Sequence, residues 1–345
     1  MKALIYTIVL LVFFTLPLSG QNKKYLFTQT KMGSPFNLLL VANDSSKASA
    51  IARDCFRLID SLSQIFSDYD SSSEVSKINA QAGFRPITMS PAMLDLVLQS
   101  KLAYHKSHGA YDISIGPLSL LWRKARKIKT FPADSSIEAA RKLVGFNWIQ
   151  IDRKASTIYL PKKGMRLDFG GIAKGYIAQW VIDYLKNRGI REALADAGGD
   201  ISMSGAPLKS KGWWVGVNIP ETTDDLLDHQ LQLANISVAT SGDAYQYLEK
   251  NGVKYSHIIN PKTGYGVSWL RNVTVIAPQG ATADWMATAC SILPLKEAKK
   301  IALENHAQLL ISSIQNGKIK FYSTPSFKKY WHPICYDTSF FVKRN

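Results

Sequence analysis

The sequence predicts an α+β fold. Apolar residues recur at helical spacing in several segments, while other segments have the short alternating pattern of strands. The two kinds mix without regular alternation, and neighbouring strand-like runs predict hairpins, which argues against a doubly wound parallel sheet. With 345 residues, of which 46% are hydrophobic and 20% charged, the composition is that of a globular protein and excludes a disordered or collagen-like chain.

The first half of the chain begins with one predicted strand and two predicted helices. The strand spans 36–42, and Ser45–Ser46 is expected to cap the first helix. Ser90-Pro91 begins the second helix and Gly109 closes it, because Pro suits the first turn of a helix and Gly its end. The apolar face of the first helix repeats every three or four residues, at Ile51, Cys55, Leu58, Leu62 and Ile65.

The second half adds a hairpin, three helices and further strands. Strands at 149–151 and 157–160 are expected to pair as the hairpin, and a helix over 172–187 ends near Gly189. The remaining elements, in chain order, are strands at 213–219, 236–240 and 272–276, helices at 282–293 and 295–305, and strands at 308–313 and 318–322.

Residues 1–20 have the pattern of a secretory signal peptide. Lys2 precedes an apolar stretch at 3–16, and small residues follow as far as Gly20. The stretch is short for a membrane span, which favours cleavage after Gly20 over a retained anchor. We therefore expect an exported, periplasmic protein, attached to the inner membrane where the segment is kept, with residues 21–345 forming one domain.

The chain is strongly basic. It has 42 Lys and Arg against 26 Asp and Glu, a formal net charge of +16, which is compatible with nucleic acid, anionic lipid or a polyanionic small molecule as partner. The densest basic run is Arg123–Lys129. Because an exported protein rarely meets nucleic acid, we interpret this run as a solvated charged face.

Several familiar kinds of site are missing from the sequence. It has neither the glycine spacing of a dinucleotide-binding turn or a P-loop, nor a G-x-S-x-G elbow. His105 and His108 lack a third ligand for zinc and are expected at the surface. Three cysteines are too few for a disulfide scaffold, so Cys55 and Cys290 are expected to be small core residues.

A Gly-rich segment, Arg166–Tyr176, is the first of four candidate site segments, and we expect it to end a strand and open a helix. Glycines allow a ligand to approach the backbone closely. The N-terminus of the following helix favours an anion, and Lys174 in its first turn adds a positive charge. The alternative is an ordinary turn between a strand and a helix.

Three further segments carry chemically active side chains. His257 precedes a Pro-x-Thr-Gly turn, and histidine is the side chain best suited to proton transfer at neutral pH. Asp284 and Thr288, four residues apart, place two oxygens on one helix face, as ligands of a hard cation such as Mg²⁺ would be. The segment 109–118 combines a loop Asp with a strand. Each also has a purely structural interpretation, as a turn or a helix contact.

Together and in this order, the four segments resemble the ApbE family of FAD:protein FMN transferases. The resemblance covers nearly the whole mature chain and includes the family-like segments Met32–Ser34, Ser67–Glu74, Ala197–Asp200, Thr240–Asp243 and Asp284–Thr288. It implies a T-fold-like α+β architecture with FAD held between two subdomains.

The resemblance also implies roles for twelve residues. His257 matches the histidine that takes part directly in catalysis. The positions that match metal ligands, with Mg²⁺ as the expected ion, are Gly171 through its backbone carbonyl, Asp284 and Thr288. The positions that match FAD contacts are Met32, Tyr69, Ala110, Tyr111, Asp112, Asp168, Lys174 and Ile259.

The implied reaction moves FMN from FAD to a Ser or Thr hydroxyl of an acceptor protein and releases AMP. By the same analogy the acceptor is a membrane-associated redox subunit, of the Rnf or sodium-pumping quinone reductase type. The signal-peptide pattern argues against nucleic acid as a partner. Two other interpretations stay open. One is an FAD pyrophosphatase that produces FMN and AMP, and the other is a periplasmic flavin-binding protein without catalysis.

Three positions depart from the family pattern. Asn260 stands where an acidic residue is usual, and Phe169 stands where Leu is commoner. Ala287 occupies a position at which some relatives carry a second carboxylate, so we expect weaker metal binding. None of the three removes a proposed catalytic group.

Overall fold

The computed structural model describes residues 21–218, 226–242, 246–269, 271–315 and 318–334. Helices and strands mix within them, and the predicted α+β class is confirmed. The predicted signal peptide, Asp243 of the Thr240–Asp243 segment and Cys335 lie outside the described residues.

An eight-stranded antiparallel sheet forms the centre of the described part of the chain. Every neighbouring pair of its strands runs antiparallel. From one edge to the other it contains β1 (Lys23–Lys31), β2 (Ser34–Ala42), β6 (Ala193–Asp196), β7 (Asp200–Ser204), β10 (Ser237–Ser241), β13 (Arg271–Ala277), β14 (Gln308–Gln315) and β15 (Lys318–Ser323).

Three small sheets accompany the central one. The predicted hairpin at 149–160 is confirmed, because its two strands pair antiparallel. The small sheets are formed by β3 (Ile87–Thr88), β4 (Gln150–Asp152) and β5 (Thr157–Tyr159), by β8 (Trp213–Asn218), β9 (Leu226–Leu233) and β16 (Trp331–Pro333), and by β11 (Tyr247–Lys250) and β12 (Val253–Ser256).

The helices of the described residues include all those that the apolar spacing predicts. The structure adds three helices that the sequence pattern did not indicate, two of them short and one at 116–128. In chain order they are α1 (Ser45–Phe66), α2 (Glu74–Ala80), α3 (Pro91–Lys106), α4 (Gly116–Ile128), α5 (Asp134–Arg141), α6 (Ala173–Asn187), α7 (Gly280–Ile292) and α8 (Leu295–Glu304).

The two faces of the central sheet are covered by different layers. Side chains alternate across a strand, so Phe36, Leu38 and Leu40 of β2 pack into the core shared with α1, α6 and α7. Leu39 and Val41, on the opposite face, pack with apolar residues of β8 and β9. The central sheet therefore lies between a helical layer and a small antiparallel sheet.

Three predicted details are wrong. Asp44, not Ser45–Ser46, caps α1, since its carboxylate accepts hydrogen bonds from the amides of Ser46 and Lys47. The strand expected within 109–118 is also wrong, and so is the strand expected before the Gly-rich segment. A single β-bridge, between Ile115 and Arg166, joins the segment 109–118 to the start of the Gly-rich segment. The pairing goes no further because α4 begins at Gly116.

The cysteine prediction is confirmed for the two described residues, as Cys55 and Cys290 are buried and free. Within the described residues, we find no helix that combines the length and the apolar character needed to cross a membrane.

Candidate active site

One cleft of about 1210 Å³ gathers every residue that the sequence nominated for the site. Its wall is assembled from the β1–β2 turn, the end of α1, α4, the start of α6, the segment after β12, and α7. The nominated residues that line it are Met32, Tyr69, Ala110, Tyr111, Asp112, Asp168, Gly171, Lys174, His257, Ile259, Asp284 and Thr288. Their roles in binding and catalysis stay predictions.

Two glycines allow α6 and α7 to cross in direct backbone contact. A Cβ added at Gly175 would overlap the carbonyl oxygen of Gly280, and a Cβ added at Gly280 would overlap the carbonyl oxygen of Gly175. Any other residue at either position would push the helices apart. The crossing brings the first turn of α6 against the part of α7 that carries Asp284.

Asp284 is a buried carboxylate held at this crossing, with 5% of its surface exposed. Its Oδ2 accepts a hydrogen bond of 2.9 Å from the amide of Gly175. Burial, and then the neighbouring charge of Asp200, raise the pKa of Asp284 well above its usual value, against the opposing effects of Gly175 and Lys174. A carboxylate in such surroundings is stabilised when a cation binds beside it.

Thr288 and Gly171 lie against each other beside this carboxylate. A Cβ built on Gly171 would be 2.7 Å from Oγ1 of Thr288, so the glycine backbone reaches the threonine hydroxyl. Among the residues that the structure describes, no three His, Cys, Asp or Glu side chains form a metal-binding group. A metal ion held here would therefore depend on mixed oxygen donors, namely carboxylate, hydroxyl and carbonyl.

The ring of Tyr69 lines the cleft and packs against the guanidinium group of Arg123. The side chain is 78% exposed, and Cζ of Arg123 lies 3.9 Å from the ring centroid. Arg123 is in turn fixed by Asp68 at 3.0 Å and by Asp168 at 3.6 Å. Burial and the charge of Asp168 raise the pKa of Asp68, and Arg123 opposes that rise.

The basic run at 123–129 is only partly the solvated face that the sequence predicted. Lys124 and Lys127 are exposed, but Arg123 and Arg126 are half-buried and line the cleft. Residues three apart on a helix share one side, so the two arginines point together. The signal that could have identified them is their three-residue spacing directly after Trp122, which is buried.

Asp168 is positioned by backbone hydrogen bonds on both sides. Its Oδ1 accepts a 2.7 Å bond from the amide of Gly170. The preceding residue, Leu167, is held by the buried side chain of Asn79, which pairs with both its amide and its carbonyl at 2.7 and 3.0 Å. Asn79 was not among the nominated residues, because its role depends on a contact across 88 positions of the chain.

Asp112 is largely occupied by the protein itself. Its Oδ1 accepts from the amide and the hydroxyl of Ser114, both at 2.7 Å, and its Oδ2 accepts from the amide of Phe146 at 3.1 Å. Burial raises the pKa of Asp112 against these hydrogen bonds. The side chain therefore fixes the loop that carries Ala110 and Tyr111, which are both buried.

His257 is half-buried and lines the cleft together with two cations, Arg126 and Lys174. Its Nδ1 is buried and has no hydrogen-bond partner among the described residues. Burial, and then the charges of Arg126 and Lys174, lower the pKa of His257 to about 4, against a backbone hydrogen bond at Gln246. The imidazole is therefore neutral at pH 7 and able to accept a proton.

Asn260, one of the departures from the family pattern, has a structural role close to His257. Its Oδ1 accepts a 2.9 Å hydrogen bond from the amide of Lys262, and its carbonyl accepts one of 2.8 Å from the amide of Gly264. These bonds close the Pro-x-Thr-Gly turn, so the substitution of the usual acidic residue leaves the turn ordered.

Lys174 and Met32 complete the lining of the cleft. Nζ of Lys174 lies 3.7 Å from where a Cβ of Gly198 would be. Met32 and Gly33 form the tight turn between β1 and β2, with φ angles of 52° and 77°. The left-handed backbone at this turn is a conformation that glycine adopts easily and methionine does not.

Comparison with known proteins agrees with this geometry. Residues 32–311 match the ApbE family. An FAD:protein FMN transferase of Klebsiella pneumoniae (strain 342) is 32% identical over 270 residues, which cover 78% of this chain and 82% of the relative. One from Vibrio cholerae is 26% identical over 303 residues, which cover 87% and 90% of the two chains.

Solved structures share the fold as well as the sequence. The flavin transferase ApbE from Vibrio cholerae superposes with a TM-score of 0.79 at 25% identity, covering 90% of this chain and all of that one. The apo form of the flavinyl transferase ApbE from Pseudomonas stutzeri gives 0.79 at 26% identity, covering 90% of this chain and 97% of that one. The family match, the sequence identity with curated relatives and the shared fold together show that this chain belongs to the ApbE family.

Proposed function

We propose that this chain transfers FMN from FAD to a Ser or Thr hydroxyl of an acceptor protein and releases AMP. Its family and the activity named for its relatives support this class of reaction. The observation that carries the proposal is that one cleft holds an exposed Tyr69 ring, a neutral His257 and the oxygens of Asp284 and Thr288.

The exposed ring of Tyr69 offers a stacking surface for the isoalloxazine ring. Arg123 keeps the phenol in place from one side, and offset stacking of aromatic rings contributes about 0.5–1.5 kcal/mol. Lys174 would attract the diphosphate, and the buried loop at Ala110–Asp112 would hold the nucleotide.

Asp284, Thr288 and the carbonyl of Gly171 would hold Mg²⁺. The donor set fits, because all three are hard oxygen ligands and the buried Asp284 gains from a neighbouring cation. When bound, Mg²⁺ supplies charge neutralisation on the phosphates and the leaving AMP. Because position 287 is Ala, the helix offers one carboxylate there, and we expect a correspondingly weaker metal affinity.

His257 would act as the general base of the transfer. The acceptor hydroxyl oxygen bonds to the FMN-side phosphorus as its proton passes to the imidazole. The bond from that phosphorus to the oxygen of AMP breaks, and AMP leaves with the electron pair. The product is a flavin joined through a phosphoester, and the total charge is unchanged because the proton stays on His257.

A transfer assay tests the proposal. The protein is incubated with FAD, Mg²⁺ and an acceptor domain that carries a Ser/Thr-Gly-Ala-Thr-like segment, with His257→Ala as control. We expect a fluorescent flavin band that survives denaturation with the wild type alone. Free FMN and AMP without such a band would establish a pyrophosphatase instead. Bound FAD without turnover would indicate a flavin-binding protein.

We also propose that the reaction takes place outside the cytoplasm, on membrane-associated redox subunits of the Rnf or sodium-pumping quinone reductase type. The signal-peptide pattern of residues 1–20 supports export. Cell fractionation of the full chain, compared with a chain lacking 1–20, tests it. The full chain should reach the periplasm or its membrane face, and equal cytoplasmic retention of both chains would contradict export.

A further inference from the structure

One guanidinium nitrogen in the cleft is buried without a partner. It is Nη1 of Arg126, which lines the cleft from α4 and makes no hydrogen bond within the described part of the chain. A buried cation that lacks a partner is costly. A group of this kind inside a binding cleft is well placed for an anionic ligand.

Arg123, one turn earlier on the same helix, behaves differently. It is neutralised by Asp68 at 3.0 Å and Asp168 at 3.6 Å. Burial alone would lower the pKa of Arg123, but Asp68, Tyr69 and Asp168 raise it overall. For Arg126, burial and the charge of Arg123 lower the pKa, with Tyr69 opposing. Arg123 is thus a structural support, and Arg126 keeps capacity for a ligand.

The fold ties the helix that carries Arg126 to the segments on either side of His257. The indole nitrogen of Trp122 donates a 2.8 Å hydrogen bond to the carbonyl of Gly264, which ties α4 to the turn after His257. Ala125, next to Arg126, packs in the same apolar cluster as Leu248 and Ile259, which lie on the two sides of His257 in sequence. The electrostatic influence of Arg126 on His257 and of Tyr69 on Arg126 agrees with this placement.

We propose that Arg126 binds the phosphate on the FMN side of FAD and holds the charge on its non-bridging oxygens during transfer, an inference that rests on the proposed function. The phosphate that joins the flavin to the reacting bond must lie between the ring and the general base. Arg126 lines the same cleft as Tyr69, the expected ring support, and His257, and it interacts electrostatically with both. The planar guanidinium group of Arg126 can donate hydrogen bonds to two phosphate oxygens at once. The group stays protonated throughout the reaction.

Ligand binding by the whole protein tests this assignment apart from turnover. Affinities for FMN, riboflavin and AMP are measured for the wild type and for Arg126→Met, with Lys127→Met as the matched control. Lys127 is the next residue of α4, carries the same charge and is exposed. FMN differs from riboflavin by the phosphate in question, and AMP carries the other one.

We expect Arg126→Met to weaken FMN binding roughly tenfold or more, as loss of a charge-assisted hydrogen bond does. Riboflavin and AMP should bind as they do to the wild type, and Lys127→Met should change none of the three. In the transfer assay, kcat should fall about 10²-fold to 10³-fold, as it does when one preorganised donor is removed.

An equal loss of FMN and riboflavin affinity would overturn the assignment in favour of a contact with the ring, and unchanged FMN affinity would overturn it outright. If Arg126→Met does not fold, Arg126→Lys keeps the charge without the planar guanidinium group, and FMN alone should bind several-fold more weakly. Failure of the proposed function is a separate result. The wild type would then transfer no flavin, while the selective loss of FMN affinity at position 126 would persist.

Discussion

At His257, two cations and a buried ring nitrogen determine how the imidazole behaves as a base. Because its pKa is lowered to about 4, the ring is neutral throughout the physiological range. In the proposed reaction, phosphate oxygens bound near Arg126 and Lys174 would offset the charges that lower this pKa, so we expect His257 to be a stronger base when the substrate is present.

The pH dependence of transfer should show this environment. A protonated His257 cannot accept a proton, so activity is lost as the pH falls through the pKa of His257 in the folded protein. We expect kcat/KM to stay level from about pH 8 to about pH 5 and to fall as the pH approaches 4. An acid limb centred near 6.5, the ordinary value for histidine, would contradict the burial of the ring.

Replacing His257 with Ala removes the base itself. We expect kcat to fall by about 10²-fold to 10⁴-fold, the usual contribution of a positioned general base. The acid limb should disappear from the pH profile of the remaining activity. FAD affinity, measured by fluorescence titration, should change little, and a large loss of FAD binding would assign His257 to binding rather than catalysis.

Replacing Asp284 should raise the stability of the protein and abolish its transfer activity. Asp284→Asn keeps the shape and an acceptor for the Gly175 amide, but it removes a buried charge that lies near Asp200. Without metal, we expect the variant to be more stable than the wild type by about 0.5–2 kcal/mol, seen as a higher melting temperature. Transfer activity should be lost.

Adding Mg²⁺ provides the matched comparison for that variant. It should raise the melting temperature of the wild type, because binding to the native state alone stabilises it. Asp284→Asn should not respond. An equal rise in both proteins would place the metal elsewhere.

At the scale of elements, strongly periodic helices were predicted well and short or basic ones were not. The helix expected at 172–187 is observed at Ala173–Asn187, and that at 282–293 at Gly280–Ile292. In contrast, α4 was missed because charged residues fill its second half and Pro117 begins it. The strand expected before it failed because the side chain of Asp112 bends the loop through Ser114.

The crossing of α6 and α7 is the element-scale feature most sensitive to substitution. Gly280→Ala places a methyl group against the carbonyl of Gly175, so the helices must separate. We expect a loss of stability of about 1–3 kcal/mol, as for overpacking in a core, with a large loss of transfer activity because Asp284 moves. Lys296→Ala is a useful control, since Lys296 is an exposed residue of α8. Denaturant titration measures both.

For the whole molecule, the residues that line the site could be predicted from the sequence, but the residues that hold them in place could not. The twelve nominated residues belong to family motifs that can be recognised in the sequence alone, and the fold brings them into one cleft. Asn79, Arg123 and Arg126 carry no such motif, and their roles come from contacts between distant segments. The net charge of +16 is explained only in part by the cleft, where Arg123, Arg126 and Lys174 lie.

The remaining positive charge should affect encounters with the acceptor more than FAD binding. Exposed charges more than about 8–10 Å apart are screened at physiological salt. Raising the salt concentration from about 0.05 M to about 0.5 M should therefore increase KM for an acidic acceptor domain several-fold and kcat little. Steady-state kinetics with acidic and neutralised acceptor domains measure this, and an equal response of the two would argue against electrostatic steering.

The hydrogen bond between Gly175 and Asp284 spans 109 positions of the chain, and this has a consequence for the order of folding. The first turn of α6 is made long before α7 leaves the ribosome or a translocation channel. Until then the cleft lacks its carboxylate and threonine, and the central sheet lacks β14 and β15. We therefore expect affinity for FAD and for the proposed metal to arise late, as one of the last events of folding. A bound flavin thus marks a chain whose final third is already in place.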